Sequence, residues 1–251
     1  MNSLRMCVLV TLLAGLGPAT AFGQLSVLHS GGFAAPYREL LPAFEKRSGV
    51  TVASKVAASQ GSGPNTIPAL LRAGFSADVV ILSREGLDEL MREGLLVAGS
   101  AVDLAQTPLG LAVRAGDLRP DIGSVEGFKQ AVLRAQTVNL VSTPAVHLNG
   151  KVFPSLGIAE AVARKANSGT LGKLPSTDVV VLRPVSEIIH APGFDFVGPV
   201  PAPVQFRSVF SAAIVSGSTQ VDAAKRLIDH LSSAEALAAA HKSGMAAVES
   251  R

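Results

Sequence analysis

Short apolar runs alternate with amphipathic stretches of helical spacing from residue 25 to residue 94, and this alternation constrains the fold more than any other feature. The predicted strands lie at 25–28, 50–56 and 77–82, and the predicted helices follow them at 36–47, 67–72 and 84–93. Strands that alternate with helices at this spacing are typical of a mostly parallel sheet covered by helices. The chain is therefore predicted to be an α/β protein.

A second α/β unit is predicted after an apolar run at 108–115 that is flanked by glycine and proline. Its expected elements are helices at 124–135, 157–165 and 185–190 and strands at 138–141 and 178–182, followed by a long returning strand at 206–215 and helices at 221–231 and 234–241. We expect two lobes, residues 24–112 plus 214–251 and residues 113–213. The hinge crossings are expected near 108–115 and 204–215.

The first 23 residues have the pattern of an export signal. Arg5 supplies the positive charge, residues 7–16 form an apolar run, and Ala19-Thr20-Ala21 offers small residues for cleavage. The run is shorter than the roughly 20 residues of a spanning helix, so the mature protein is expected to be periplasmic and not membrane-embedded. Cleavage would remove Cys7, the single cysteine, which excludes disulfides and thiolate chemistry from the mature chain.

Composition narrows the classes of partner. The chain has 251 residues, of which 48% are hydrophobic and 16% charged, and this balance excludes a disordered polypeptide. The scarcity of aromatic residues and the absence of a basic block argue against binding of nucleic acid. No two histidines have the helical i, i+4 spacing of a metal-ligand pair. The sequence predicts no metal site and no cofactor.

Hydroxyl-bearing residues follow four of the predicted strands. These strands run into Ser30-Gly31-Gly32, Gly61-Ser62, Ser83 and Ser142-Thr143. The carboxyl ends of parallel strands meet at one edge of a sheet, where the N–H groups of helix N-termini favour anions. Serine and glycine are also common in ordinary turns and helix caps. Their recurrence at successive strand ends nevertheless predicts a site for a small anion.

Segments from most of the mature chain resemble the bacterial periplasmic solute-binding proteins of the molybdate-binding type. The segments include Ser30-Gly31-Gly32-Phe33 and the ranges 41–46, 77–81, 109–116, 186–189 and 210–212. The resemblance implies a two-lobed periplasmic-binding-protein type II fold, in which each lobe is a mostly parallel sheet flanked by helices. It also implies a ligand held between the lobes, hinge closure, an ABC transporter permease as partner, and a monomeric protein.

The resemblance implies ligand contacts by the hydroxyls at the strand ends, and the chemistry of the residues adds others, among them Arg183, which stands where many relatives carry an amide. The predicted contacts are Ser30, Gly31, Gly32, Gly61, Ser62, Ser83, Ser142, Thr143, Arg183 and Ser186. The loop after Thr143 departs from the family, because Pro144, Val146 and His147 replace the usual Ser- and Gly-rich turn. The planar guanidinium of Arg183 suits a carboxylate. The ligand is predicted to be a molybdate-like oxyanion or an organic carboxylate.

A subgroup of this family with the same Ser-Gly-Gly-Phe turn also resembles aconitate isomerase, so catalysis stays open as an alternative. Such a reaction moves a proton along an allylic carboxylate and needs a positioned base. The candidates are His29, His147, Glu187 and His190. Each has an ordinary structural explanation; Glu187, for example, can interact with a helix dipole. We predict a binding protein, with an isomerase or an interaction module that has lost its ligand as the alternatives.

Overall fold

The computed structural model of the protein describes residues 23–249. The predicted export signal lies outside the described residues, apart from its last position. No helix within 23–249 combines the length and the apolar character that crossing a bilayer requires.

Strands and helices alternate along most of the chain, as the sequence predicts. The elements are β1 (Leu25–His29), α1 (Ala34–Ser48), β2 (Val52–Val56), α2 (Ile67–Arg72), β3 (Val79–Ser83), α3 (Arg84–Arg92), β4 (Val102–Arg114), α4 (Val125–Arg134), β5 (Thr137–Leu140), α5 (Ser142–His147), α6 (Phe153–Ser155), α7 (Ala159–Ala163), β6 (Ala166–Asn167), β7 (Val179–Pro184), α8 (Val185–Ile188), β8 (Phe194–Pro199), β9 (Arg207–Ile214), α9 (Val221–Leu231) and α10 (Ala234–Lys242). A π-helical turn, Leu148–Val152, joins α5 to α6.

The strands form one nine-stranded sheet in the order β2-β1-β3-β9-β4-β7-β5-β6, with β8 paired to β4. In the first half, β1, β2, β3 and β4 run in one direction and β9 runs against them. In the second half, β5, β6, β7 and β8 run together and β4 runs against them. Each half of the sheet is therefore mostly parallel in strand direction, as predicted.

The long strand β4 belongs to both halves of the sheet. Its residues 102–108 pair with β9, and its residues 109–114 pair with β7 and β8. The sequence predicts an apolar run at 108–115, whereas the strand begins at Val102 because its polar residues find partners. Gln106, for example, exchanges two backbone hydrogen bonds with Ala246, at 2.9 and 2.8 Å. β4 changes its partner strands from β9 to β7 and β8 at residues 108–109, where a hinge is predicted. The bounds of the two lobes stay a prediction.

Apolar side chains pack on both faces of the sheet and form separate clusters in its two halves. In the first half, one cluster joins the sheet to α1, α9 and α10, and another joins it to α2 and α3. In the second half, Phe128 of α4 and Phe153 of α6 are fully buried against β5 and β7. Burial of such side chains contributes roughly 1.5–3 kcal/mol each to stability. The clusters fix the helices whose ends surround the strand tips.

Several further stretches differ from the sequence prediction, among them the short elements β6 and α6, which the sequence does not predict. Residues 142–147, expected as a loop, form α5. The strand β8 was not predicted because glycine at 198 and a proline-glycine pair at 192–193 resemble turn residues. Helix starts are better predicted: Ser124 caps α4, and its Oγ accepts a hydrogen bond from the Gly127 N–H at 3.0 Å.

Candidate functional site

A cavity of about 870 Å³ opens where the carboxyl ends of strands from the two halves of the sheet face each other. From the first half, the residues that follow β1, β2 and β3 line it. From the second half, the residues that follow β5, β6 and β7 line it. The main lining segments are 30–31, 56–66, 140–146 and 166–171, together with Ser83, Arg183 and Glu187. The topology therefore brings together strand ends that are distant in the sequence.

Ser30 supplies a buried hydroxyl that the protein does not satisfy. Its side chain is 3% exposed, and its Oγ has no hydrogen-bond partner among the described residues. The backbone N–H of Ser30 donates to the carbonyl of Ile81 at 2.8 Å, which fixes the residue at the tip of β1. Leaving a buried hydroxyl unpaired costs about 1–3 kcal/mol. A ligand oxygen in the cavity would remove that cost.

Hydroxyl groups also connect the two halves of the sheet beside the cavity. The Thr143 hydroxyl donates to Ser83 Oγ at 2.7 Å, and the backbone N–H of Gln60 donates to Ser142 Oγ at 3.2 Å. Ser83 caps α3 and is itself held through its N–H by Ser59 Oγ at 2.9 Å. Ser142 has φ of 57°, in the left-handed region that is unfavourable for residues other than glycine. These contacts set the separation between the two walls of the cavity.

The Arg183 guanidinium lies in the cavity wall and is held from three sides. Its Nε donates to Asn139 Oδ1 at 2.9 Å, its Nη2 to the Gly169 carbonyl at 3.1 Å, and its Nη1 to Glu187 Oε2 at 3.0 Å. These bonds use three of the five N–H groups of an arginine and leave two for a ligand. The side chain is 11% exposed. The guanidinium is therefore fixed in orientation before a ligand arrives.

Glu187 completes the charged pair and faces the first half of the sheet. A Cβ atom at Gly31 would lie 3.3 Å from Glu187 Oε1, so the carboxyl reaches the turn after β1. Burial raises the pKa of Glu187, and the neighbouring Arg183 charge and hydrogen bond oppose that rise. The carboxyl group consequently holds a proton more readily than an exposed glutamate does.

Most of the predicted ligand contacts lie together in the cavity lining. They are Ser30, Gly31, Gly61, Ser62, Ser83, Ser142, Thr143 and Arg183. Gly32 and Ser186 lie outside that lining and differ from the prediction. The Ser186 hydroxyl donates to the Gly32 carbonyl at 2.7 Å, and a Cβ at Gly32 would come within 2.0 Å of Phe210 Cζ. These two residues join the halves of the protein by packing and hydrogen bonding.

The three candidate histidines also lie outside the lining. His29 packs on Tyr37 with ring centroids 4.6 Å apart, and burial lowers its pKa. His147 stacks on Phe206 at 4.7 Å, and burial lowers its pKa as well. His190 lies 3.2 Å from the Lys242 carbonyl. Of the four candidate bases, Glu187 lines the cavity. Within 23–249, no group of three His, Cys, Asp or Glu residues could hold a metal ion.

Asn139 is a site residue that sequence reasoning missed. Its side chain is fully buried, and Nδ2 donates to the carbonyls of Asn167 and Gly169 at 3.0 Å each. It thus fixes the loop after β6 while its Oδ1 orients Arg183. The sequence does contain a signal for this role. Asn139 is an amide residue between the apolar residues Val138 and Leu140, in a strand that is expected to be buried.

Solved structures with the same fold include the periplasmic molybdate-binding protein of Azotobacter vinelandii, with a TM-score of 0.71 and 18% identity, covering 90% of this chain and 100% of that one. The sulfate-binding protein SubI of Mycobacterium tuberculosis aligns with a TM-score of 0.63 and 17% identity, covering 90% of this chain and 87% of the other. These similarities confirm the predicted periplasmic-binding-protein type II fold.

Sequence comparison identifies the protein family to which the chain is related. The chain is 35% identical over 227 residues to an aconitate isomerase from Pseudomonas sp., across 88% of this chain and 87% of that protein. A family model described as bacterial extracellular solute-binding protein matches residues 25–246. Because that match spans nearly all of the described residues, the chain belongs to the bacterial extracellular solute-binding protein family.

Proposed function

We propose that this protein captures a small organic anion that bears a carboxylate group and delivers it to an ABC-type transporter. The observation that supports this most directly is the Arg183 guanidinium, which is fixed in the cavity wall and has two N–H groups left for a ligand. A planar guanidinium binds a carboxylate through two parallel hydrogen bonds. Ser30 lines the same cavity, and its buried hydroxyl, which has no partner among the described residues, is a second candidate donor to the anion.

The dimensions of the cavity favour an organic ligand over a single tetrahedral oxyanion. Small-molecule sites usually enclose roughly 300–1,000 Å³, and the volume here is about 870 Å³. An inorganic oxyanion would leave most of that space to water. The cavity is also lined by Val56, Leu140, Val146 and Phe210, which suit the carbon skeleton of an organic acid.

Location and partners belong to the same proposal. The A. vinelandii protein of the same fold is described as periplasmic, and the predicted export signal would bring this chain to the same compartment. We propose a monomer, because residues of one chain supply both walls of the cavity. The transporter partner would receive the anion after the two halves of the protein separate.

Replacing Ser30 with alanine should weaken anion binding and leave stability intact. Isothermal titration calorimetry against citrate, cis- and trans-aconitate, molybdate, tungstate and sulfate is expected to show saturable binding of a carboxylate by the wild type. Loss of one hydrogen bond of about 1–1.5 kcal/mol lowers the affinity roughly fivefold to tenfold. The free energy of unfolding should not fall, since Ser30 Oγ has no partner to lose.

Ser59→Ala is the matched variant, because the Ser59 hydroxyl of the wild type accepts a hydrogen bond from the Ser83 N–H. It should lower stability, in contrast to Ser30→Ala. Absence of binding to every anion in the series would contradict the proposed function.

A second candidate function is isomerisation of an unsaturated tricarboxylate. Two observations favour it: the 35% identical relative is an aconitate isomerase, and the Glu187 carboxyl lies in the cavity beside the Arg183 guanidinium. A carboxyl of raised pKa can take a proton from one carbon of an allylic system and return it to another. Glu187 would then exchange protons with the bound ligand.

Incubation with trans-aconitate distinguishes the two functions. An isomerase would produce the cis isomer at a rate proportional to protein concentration, which chromatography of the reaction mixture measures. The Glu187→Gln variant would lose that activity. The Glu187→Gln protein should still bind trans-aconitate, because Arg183 remains. Binding without any conversion by the wild type would reject the isomerase and retain the binding protein.

A further inference from the structure

Arg183 and Glu187 are the two residues of the cavity lining that carry a full charge, and they form an ion pair at 3.0 Å. The other lining residues supply hydroxyls, amides, backbone groups and apolar side chains. When both members of the pair are ionised, the lining has no net formal charge. An incoming anion therefore meets one cation that is already shared with a carboxylate.

Among the elements that the structure describes around Glu187, no second cation faces the carboxyl to compensate for an added negative charge. Helix α8 packs against β4, β7, β8 and the turn at 31–33. On β7, Arg183 faces the carboxyl. The charged residues of the other strands have partners elsewhere: Asp103 binds Arg84 and Ser211, Arg114 binds the carbonyls of Leu174 and Pro175, and Asp195 pairs with Arg119. The turn at 31–33 is uncharged.

A carboxylate ligand bound to the two remaining N–H groups of Arg183 would lie next to Glu187. Arg183 and Glu187 are largely buried, and two carboxylates that share one largely buried cation cannot both stay ionised without a large cost. Protonation of Glu187 removes this repulsion and releases more of the guanidinium charge to the ligand. We infer that Glu187 takes up one proton when the anion binds, so the cavity accepts the anion and a proton together. This inference rests on the proposed function.

The sign of the pH dependence follows from this coupling. The bound anion raises the affinity of Glu187 for its proton, so by reciprocity the protonated protein binds the anion more tightly. Affinity is expected to be constant at low pH and to fall as pH rises between the free-state and bound-state pKa values of Glu187. The fall approaches tenfold per pH unit in that interval.

Proton uptake can be measured by calorimetric titration of trans-aconitate in two buffers of different ionisation enthalpy, imidazole and Tris, at several values from about pH 7 to pH 8, where both buffer. The wild type is expected to take up a fraction of a proton that approaches one. Glu187→Gln should bind with an uptake near zero and with little pH dependence, because its amide does not titrate and can still accept a bond from Arg183. Unfolding curves of both proteins establish that the variant is folded.

A measurement on the wild type alone complements the variant. Infrared spectroscopy should show the carbonyl band of a protonated carboxyl group appear when trans-aconitate is added. Binding without proton uptake, or equal uptake by wild type and Glu187→Gln, would overturn the inference and leave the proposed function standing. Absence of binding to trans-aconitate and to the other anions of the series would reject both.

Discussion

Substitution of Arg183 by methionine is expected to weaken carboxylate binding at least about 30-fold and to destabilise the fold. Removing one member of a buried, hydrogen-bonded charge pair costs roughly 2–5 kcal/mol of binding energy. The same change leaves the buried Glu187 without its cation and costs about 3–5 kcal/mol of folding free energy. It also removes the bonds that hold Asn139 and the Gly169 carbonyl. Titration calorimetry and urea unfolding measure the two losses.

A double variant separates binding from stability. Arg183→Met combined with Glu187→Gln removes both charges, so most of the lost folding free energy should return, whereas the affinity for the anion should not. An Arg183→Met protein that binds the anion as tightly as the wild type would contradict the proposed role of the guanidinium. A double variant no more stable than the single one would contradict the buried ion pair.

Replacement of Gly32 by alanine should strongly destabilise the protein even though it adds a single methyl group. The new Cβ would lie 2.0 Å from Phe210 Cζ and 2.6 and 2.7 Å from the adjoining ring carbons. The Phe210 ring is buried in the core of the first half of the sheet and borders the cavity, so relieving the overlap would displace the ring from that core. Forcing such an overlap costs typically about 1–3 kcal/mol and occasionally more. The midpoint of urea unfolding reports the change.

Gly63→Ala is the matched control, because its Cβ would meet no atom within 4 Å. We expect this variant to stay within about 0.5 kcal/mol of the wild type. Shortening the ring with Phe210→Leu should restore part of the stability of Gly32→Ala. Equal stability of the Gly32 and Gly63 variants would show that the turn after β1 has more room than the structure indicates.

The sequence predicts the part of the site that lies at the tips of strands. Ser30 follows β1 and Ser83 is the last residue of β3, and both strands are apolar runs that periodicity identifies easily. The carboxyl ends of neighbouring parallel strands lie at the same edge of the sheet. A correct prediction of the strands therefore also predicts where the hydroxyl groups at their ends lie. The alternation of strands and helices predicts the fold class for the same reason.

The sequence does not predict which polar residues contact each other across elements. Arg183 and Glu187 are four residues apart, but the first lies in β7 and the second in α8, so their pairing depends on the direct change from strand to helix after Pro184. Asn139 was missed because an amide inside a strand resembles a solvent-facing position. Ser186 was predicted to contact the ligand and instead binds the Gly32 carbonyl, because its hydroxyl points to the opposite half of the protein.

The order of strands in the sheet has a consequence for biosynthesis. The second half draws its strand pairs from the contiguous stretch between residues 109 and 199, whereas β3 in the first half must wait for β9, more than a hundred residues later. Strands that are close in the sequence pair at a smaller loop-closure cost than distant ones. The middle of the polypeptide can therefore complete its pairing while β3 still lacks its partner β9. Until β9 pairs with it, that edge of β3 is exposed to chaperones.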